Sequence, residues 1–203
     1  MEESLSAKEL AEEHCQEGFR LAWVAKDTDA ALREFRAALE IWPACAQAHC
    51  QIGQIHFSAT EPNLAEALCE FLEATRVAPE WSEGHLWCGN VLQEMLKMDE
   101  AAARFKEAMR LTPGDARTYI SFGICLIKQG KYADAIAAFQ QGIALKPAYG
   151  EMATRMMLAD ALRKNGQVKE ALSEWKTVAS MKAVWDYEQG EPERAKEFLA
   201  QYG

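Results

Sequence analysis

Four prolines set the interval that any fold of this 203-residue chain has to accommodate. Pro147 follows Pro113 by 34 residues, Pro113 follows Pro79 by 34, and Pro79 follows Pro43 by 36. Other marks move with them. Gly53, Gly89 and Gly123 recur early in each interval, and Ala67, Ala101 and Ala135 recur later, each followed four residues on by Phe71, Phe105 or Phe139. A chain that returns to one pattern at this period is built from copies of a small unit, each of which buries its apolar face against its neighbours. The longer interval between Pro43 and Pro79 predicts a two-residue insertion.

The clearest copy runs from Ala116 to Pro147. Tyr119, Phe122 and Leu126 recur at three- and four-residue spacing and share one face of a first helix, A. Gly123 lies among them, where a missing side chain lets another helix approach, and Gly130 follows the last apolar residue, where a glycine ends a helix. Ala135 and Phe139 lie four apart on a second helix, B, which Pro147 stops. These marks follow the order W-x2-L-G-x2-Y…A-x3-F…P, and the chain resembles the tetratricopeptide repeat family. The resemblance implies an all-α, right-handed superhelix of antiparallel helix pairs, and the final segment reads as a C-terminal capping helix.

On this register residues 1–10 form a lead, 11–45 a degenerate first repeat and 46–81 a second with the two-residue insertion. Residues 82–115 and 116–149 form the third and fourth, 150–183 a divergent fifth, and 184–203 a truncated repeat with the cap. The first repeat needs one extra residue, placed near Lys26 to Asp29. Pro62 suits the first turn of a helix B. The fifth repeat is carried by Leu158, Ala159, Leu162, Gly166, Ala171 and Trp175. In the cap, Ala195, Phe198 and Leu199 face inward, while Glu193, Arg194, Lys196 and Glu197 give the polar outer face that an end repeat requires.

Composition agrees with helix, since Gly and Pro are sparse and Ala, Leu, Glu and Lys abundant. No apolar run approaches the roughly 18 residues that cross a bilayer, so direct membrane insertion is not expected. Met1 to Leu10 shows no basic-then-apolar signal, and a cytoplasmic protein is expected. The six cysteines contain no C-x-x-C pair and read as reduced, small apolar fillers. Residues 1–100 hold 19 acidic and 7 basic side chains, a net of −12, while residues 101–203 hold 12 and 15, a net of +3. This asymmetry reads as solvated helix faces, or alternatively as favouring head-to-tail self-association or a basic partner at the amino-terminal half. The overall charge of −9 argues against nucleic acid as a partner.

The resemblance implies that helices A line the concave side of the superhelix. Their residues off the packing face are then candidate partner contacts: Phe19 and Trp23, Gln54 and Phe57, Leu86, Asn90 and Gln93, Ile120, Ile124 and Ile127, and Met156. In the fourth helix A, Ile120, Ile124 and Ile127 add a second apolar stripe to the one made by Tyr119, Phe122 and Leu126. A helix apolar nearly all round has to be covered on more than one side, either by neighbouring helices or by a partner segment. Gln54, Asn90 and Gln93 could bond the backbone of such a segment. The two-carboxylate clamp that some repeats of this family use on chaperone carboxyl termini is rejected. Asn90 matches it, but Leu86, Ser121, Ala153 and Met156 or Met157 stand where the clamp has its other polar residues. The expected ligand is a protein or peptide segment with apolar residues, an amphipathic helix or an extended stretch.

Catalysis finds little support. His14, His49 and His85 fall where the fourth helix A has Tyr119 and read as replacements for an aromatic packing residue. Cys45 and His49, with Cys50 and His56 nearby, match no standard zinc spacing, and no phosphate loop or nucleophile elbow occurs, so neither metal nor cofactor is expected. Trp42 and Trp81 flank inter-repeat prolines and read as turn packing or as partner anchors, Trp175 replaces the helix B phenylalanine in the core, and Trp87 and Trp185 have no assigned role. The chain therefore reads as a non-enzymatic protein–protein interaction scaffold or adaptor that binds an apolar segment in its groove. The alternative is a structural self-associating protein, a homo-oligomer in which another copy fills that groove or an end repeat.

Overall fold

The computed structural model describes residues 5–147, 150–182 and 188–203, and no strand occurs among them. The helices are α1 (Ala7–Phe19), α2 (Thr28–Ile41), α3 (Ala46–Ser58), α4 (Leu64–Val77), α5 (Ser82–Glu94) and α6 (Met98–Leu111), then α7 (Ala116–Lys128), α8 (Tyr132–Ala144), α9 (Glu151–Lys164), α10 (Val168–Ser180) and α11 (Glu191–Tyr202). They fall into two compact units, Met1–Leu111 and Thr112–Gly203.

Unit 1 consists of the pairs α1/α2, α3/α4 and α5/α6, with α2 packed on α3 and α4 on α5. One contact repeats in every pair. A Cβ added at Gly18 or Gly53 would lie 2.8 Å from the ring of Phe35 or Phe71, and one at Gly89 would lie 2.5 Å from Phe105. The missing side chain is thus what lets the ring enter, and Phe35, Phe71 and Phe105 are fully buried as a result. Ala31, Ala67 and Ala101, one helical turn before these rings, are buried as well and keep the helix B backbone close.

The helix starts are capped locally. Ser6 and Glu9 form a capping box at α1, which begins inside the segment read as a lead. Asp27 and Asn63 accept from the backbone amides of Ala30 and Glu66 at the starts of α2 and α4. Two expectations about insertions need correction here. The extra residue of the first repeat is not in a loop at Lys26 to Asp29. It is absorbed in a π-helical turn, Arg20–Ala25, that continues α1, because a π turn takes one more residue than an α turn. Pro62 is not in the first turn of α4 either, since Asn63 is the capping residue and Pro62 precedes it.

Unit 2 consists of α7/α8 and α9/α10, with α8 packed on α9 and α11 covering α10 and touching α9. A Cβ at Gly123 would lie 2.6 Å from Phe139. In the next pair Ala159 and Trp175 hold the equivalent positions, both buried. Trp175 stacks on Phe198 of α11 at 5.0 Å with the planes 10° apart, and Tyr202 adds a second stacked ring at 5.8 Å. The Arg163 guanidinium lies over the far ring, 5.5 Å from the Tyr202 centroid. Ala195 is buried and Glu193, Arg194, Lys196 and Glu197 are exposed, so α11 closes unit 2 with a polar outer side. Trp185 lies outside the described residues.

Three helices end alike. Leu96, Gly130 and Gly166 have left-handed backbone, and the following amides of Lys97, Lys131 and Gln167 donate to the carbonyls of Leu92, Leu126 and Leu162 at 2.9 Å. Leu96 takes this conformation with a side chain that is 76% exposed and offsets little of its cost. Leu96→Gly is therefore expected to raise stability by about 1 kcal/mol in thermal unfolding, and a lower melting temperature would contradict this account of the turn.

His14 and His49 do not act as aromatic fillers, which corrects the expectation drawn from Tyr119, whereas His85 is buried with Nε2 3.0 Å from the Pro79 carbonyl. His14 and His49 tie helix A to helix B, with Nδ1 lying 2.6 Å from Glu34 and 2.7 Å from Glu70. Arg155 does the same in unit 2, donating to Glu174 at 2.8 Å. Each basic side chain stands four residues before the helix A glycine or Ala159, and each glutamate stands one before the buried ring. His49 also places Nε2 3.2 Å from the Pro43 carbonyl, so both ring nitrogens face acceptors and the doubly protonated ring is favoured. The Glu70 hydrogen bond raises its pKa, against the opposing effect of burial. The stabilisation is complete below the unfolded value of about 6.5 and is lost as pH rises through the raised folded value. Melting temperature is thus expected to fall as pH rises from about 6.5 through the raised folded value, and Glu70→Gln should shrink that fall. An unchanged pH profile in the variant would count against the pair.

Candidate functional site

Unit 2 carries a cleft of about 650 Å³ on the side where α7, α9 and α11 meet. Its walls are Ile124, Ile127 and Lys128 of α7, Ala153, Met156, Met157 and Asp160 of α9, Trp175 of α10, and Glu191, Arg194 and Phe198 of α11. The apolar residues form the floor for a simple reason. Ile124 and Ile127 continue α7 off the face that holds Gly123 against Phe139, so the pair's own contact leaves them half-buried. Met156 is buried at the base and Met157 half-buried beside it. Two methionines give a floor that adapts in shape, as their unbranched side chains have several accessible rotamers.

Charges rim this floor. Arg194 donates to both carboxylate oxygens of Glu191, at 2.8 and 3.0 Å. Asp160 accepts from Arg163 at 2.7 Å and lies 2.9 Å from Lys164. Burial opposes its ionisation, but Lys164 and Arg163 outweigh that and hold the carboxyl below its ordinary value. Asp160 is therefore ionised at neutral pH, while the apolar floor offers no charge. Such a site can take apolar side chains and orient the polar flanks of the segment that carries them. No group of three His, Cys, Asp or Glu side chains that could hold a metal occurs among the described residues.

The structure separates the expected contacts into groups. Ile124 and Ile127 reach the cleft together. Ile120 does not line it, because it packs across the helix pair, with Cγ1 3.1 Å from where a Gly142 Cβ would stand. Met156 lines the floor but presents little of itself. In unit 1 Leu86 and Gln93 are 3% and 7% exposed, so the expectation that they contact a partner is withdrawn. Their helix, α5, is flanked by α3, α4 and α6, which between them claim faces that the sequence pattern leaves open. Asn90 is half-buried, and Gln54 is half-buried with its amide directed at Cys50 Sγ, 3.4 Å away. Phe57 packs edge-on against Trp87, 6.0 Å between centroids, and Trp87 stacks on Phe71, which gives that tryptophan a core role. Phe19 and Trp23 remain exposed beside the π turn, 6.5 Å apart, and Trp23 Nε1 donates to Gln51.

Sequence reasoning missed Met157, Ala153, Phe198 and Arg194. Phe198 was visible as part of the apolar face of the last helix, but only the packing of α11 over α9 and α10 brings it to this cleft. Among the described residues no helix is long and apolar enough to cross a membrane.

Comparison with known proteins places this geometry in context. Two family models, both described as Tetratricopeptide repeat, match the chain, one over residues 94–154 and 126–180 and the other over residues 17–80. No curated protein matches it. Several solved structures share its fold. One, from a study titled as the functional characterization of Pseudomonas aeruginosa pilF, is 21% identical with a TM-score of 0.77, over 98% of this chain and 90% of that one. MamA from Desulfovibrio magneticus RS-1 is 18% identical with a TM-score of 0.72, over 92% and 97%. YrrB, described as a TPR protein with an unusual peptide-binding site, is 20% identical with a TM-score of 0.69, over 95% and 98%.

Proposed function

We propose a protein-recognition role for this chain, which belongs to the tetratricopeptide repeat family. It acts as a scaffold, and the unit 2 cleft takes apolar side chains from a peptide or from one face of an amphipathic helix. The observation that carries this reading is the pairing of Ile124 and Ile127 with Met156 and Met157 on one floor, inside a rim of Asp160, Glu191 and Arg194. Ile124, Ile127 and Met157, left half-covered by their own chain, gain about 25 cal/mol per Å² when a partner removes the remainder from water. The peptide-binding site named for YrrB, a structure of the same fold, is consistent with this role.

The test is co-purification from lysate of the source cells, with wild type compared against Ile124→Glu and Met157→Glu. A carboxylate on this floor would have to be desolvated on binding, so both variants are expected to lose at least about tenfold in capture of the wild-type partner while keeping the wild-type helical signal. Equal capture by all three proteins would remove the cleft from the account.

A second reading, self-association, is favoured by one feature of unit 1, the exposed Phe19, Trp23 and Val24 around the π turn. An apolar knob of this kind seated in the cleft of another copy gives a head-to-tail contact. Light scattering across concentration distinguishes the two readings, because a monomer at every concentration leaves only the heterologous partner.

A further inference from the structure

Two buried thiols of unit 1 lie close to each other. Cys15 lies on the inner side of α1 and Cys45 is the capping residue immediately before α3, and their Sγ atoms are 3.5 Å apart. Closing that gap to a bond of about 2.05 Å takes about 1.5 Å of movement shared between two side chains. Cys45, 2% exposed, also lines a cleft of about 540 Å³, with Trp42, Gln47 and Trp81 among its walls, and this cleft is the side from which a small reagent would approach it. We propose that Cys15 and Cys45 form a thiol–disulfide site that a low-molecular-weight disulfide converts to an intrachain bond between α1 and the start of α3.

The surroundings assign the two sulfurs different roles. The Cys15 hydrogen bond favours the Cys45 thiolate against burial, and the Ala48 and Gln47 amides and His49 add to this, although Cys45 makes no capping hydrogen bond. The same hydrogen bond, with burial and the nearby charge of Glu12, pushes Cys15 upward. Cys45, which lines the cleft while Cys15 does not, is therefore the attacking sulfur. It displaces one thiolate from the small disulfide and becomes a mixed disulfide. Cys15 then gives its proton to the displaced thiolate and attacks the Cys45 sulfur, releasing the second thiolate, which takes a proton from water. In sum two protein thiols are oxidised and one small disulfide is reduced to two thiols.

The other cysteines supply internal controls. Burial pushes Cys50 up to about 12 and Cys88 up to about 11, which leaves them as thiols, while Cys69 on α4 is exposed. The proposal rests on unit 1 alone and stands or falls apart from the unit 2 cleft.

The test treats the whole chain with oxidised glutathione and maps its cysteines by mass spectrometry without reduction. The expected product is a cross-linked peptide pair containing Cys15 and Cys45, reversed by dithiothreitol, and a melting temperature raised on the order of 5 °C. Cys15→Ala is expected to trap glutathione on Cys45, because the resolving sulfur is gone. Modification confined to Cys69, with Cys15 and Cys45 still reduced, would overturn the proposal. So would a mixed disulfide at Cys45 in wild-type protein that never resolves onto Cys15.

Discussion

The substitution Gly89→Ala is expected to destabilise unit 1 by about 3 kcal/mol, a large effect for the addition of one methyl group. The added carbon would lie 2.5 Å from Cε1 of Phe105, where real side-chain carbons are essentially never found. The ring cannot move away cheaply because it is fully buried, with Ala101 and Ala108 buried on its own helix. Either α5 and α6 separate or Phe105 leaves its rotamer, and both outcomes lose contacts throughout the pair. Urea unfolding followed by circular dichroism measures the loss. The companion variant Gly89→Ala with Phe105→Leu should recover part of it, since a shorter side chain makes room and neighbouring substitutions do not add. If the double variant is less stable than the sum of the singles, the clash is not the cause.

The second large effect is expected at Trp175. Trp175→Ala removes the ring that fills the last helix pair and also supports Phe198 and Tyr202 of α11. A loss of about 4 kcal/mol follows from the cavity and the lost stacking together. Its location is diagnostic. Amide hydrogens of residues 191–202 should exchange faster in the variant even under conditions where α7 and α8 stay protected. Uniform loss of protection across unit 2 would mean that α11 is not a separable cap.

These two positions also show what can be read from the sequence. A glycine facing a phenylalanine is a steric requirement of each pair, so it returns at the repeat interval and is visible without coordinates at Gly53, Gly89 and Gly123. The π turn was not visible in the same way. Spacing between Gly18 and Ala31 reveals one residue too many, but a wider turn inside a helix and a longer loop after it have the same count. His14 and His49 differ from Tyr119 because their partners lie on the other helix. Ala138 stands one before Phe139 where Glu34 and Glu70 stand one before Phe35 and Phe71, and that difference appears only when both helices are aligned.

The candidate site divides along the same line. The apolar stripe of α7 showed that Ile124 and Ile127 need cover, but not that Ile120 finds it on α8. Leu86 and Gln93 occupy equivalent faces on α5, and only the helices packed around α5 determine that those faces are closed. Periodicity thus identifies a face, and the number of neighbours decides whether it remains available.

Whether the floor of the unit 2 cleft is a recognition surface can be read by methyl NMR. Protein labelled at isoleucine and methionine methyls would be titrated with a panel of amphipathic helical peptides and extended apolar peptides. At least one class is expected to shift Ile124, Ile127 and Met157 together while Ile52 and Ile55 in the unit 1 core stay fixed, and Ile124→Glu is expected to abolish the shifts. Peptides that bind yet leave all three cleft methyls unmoved would contradict this expectation.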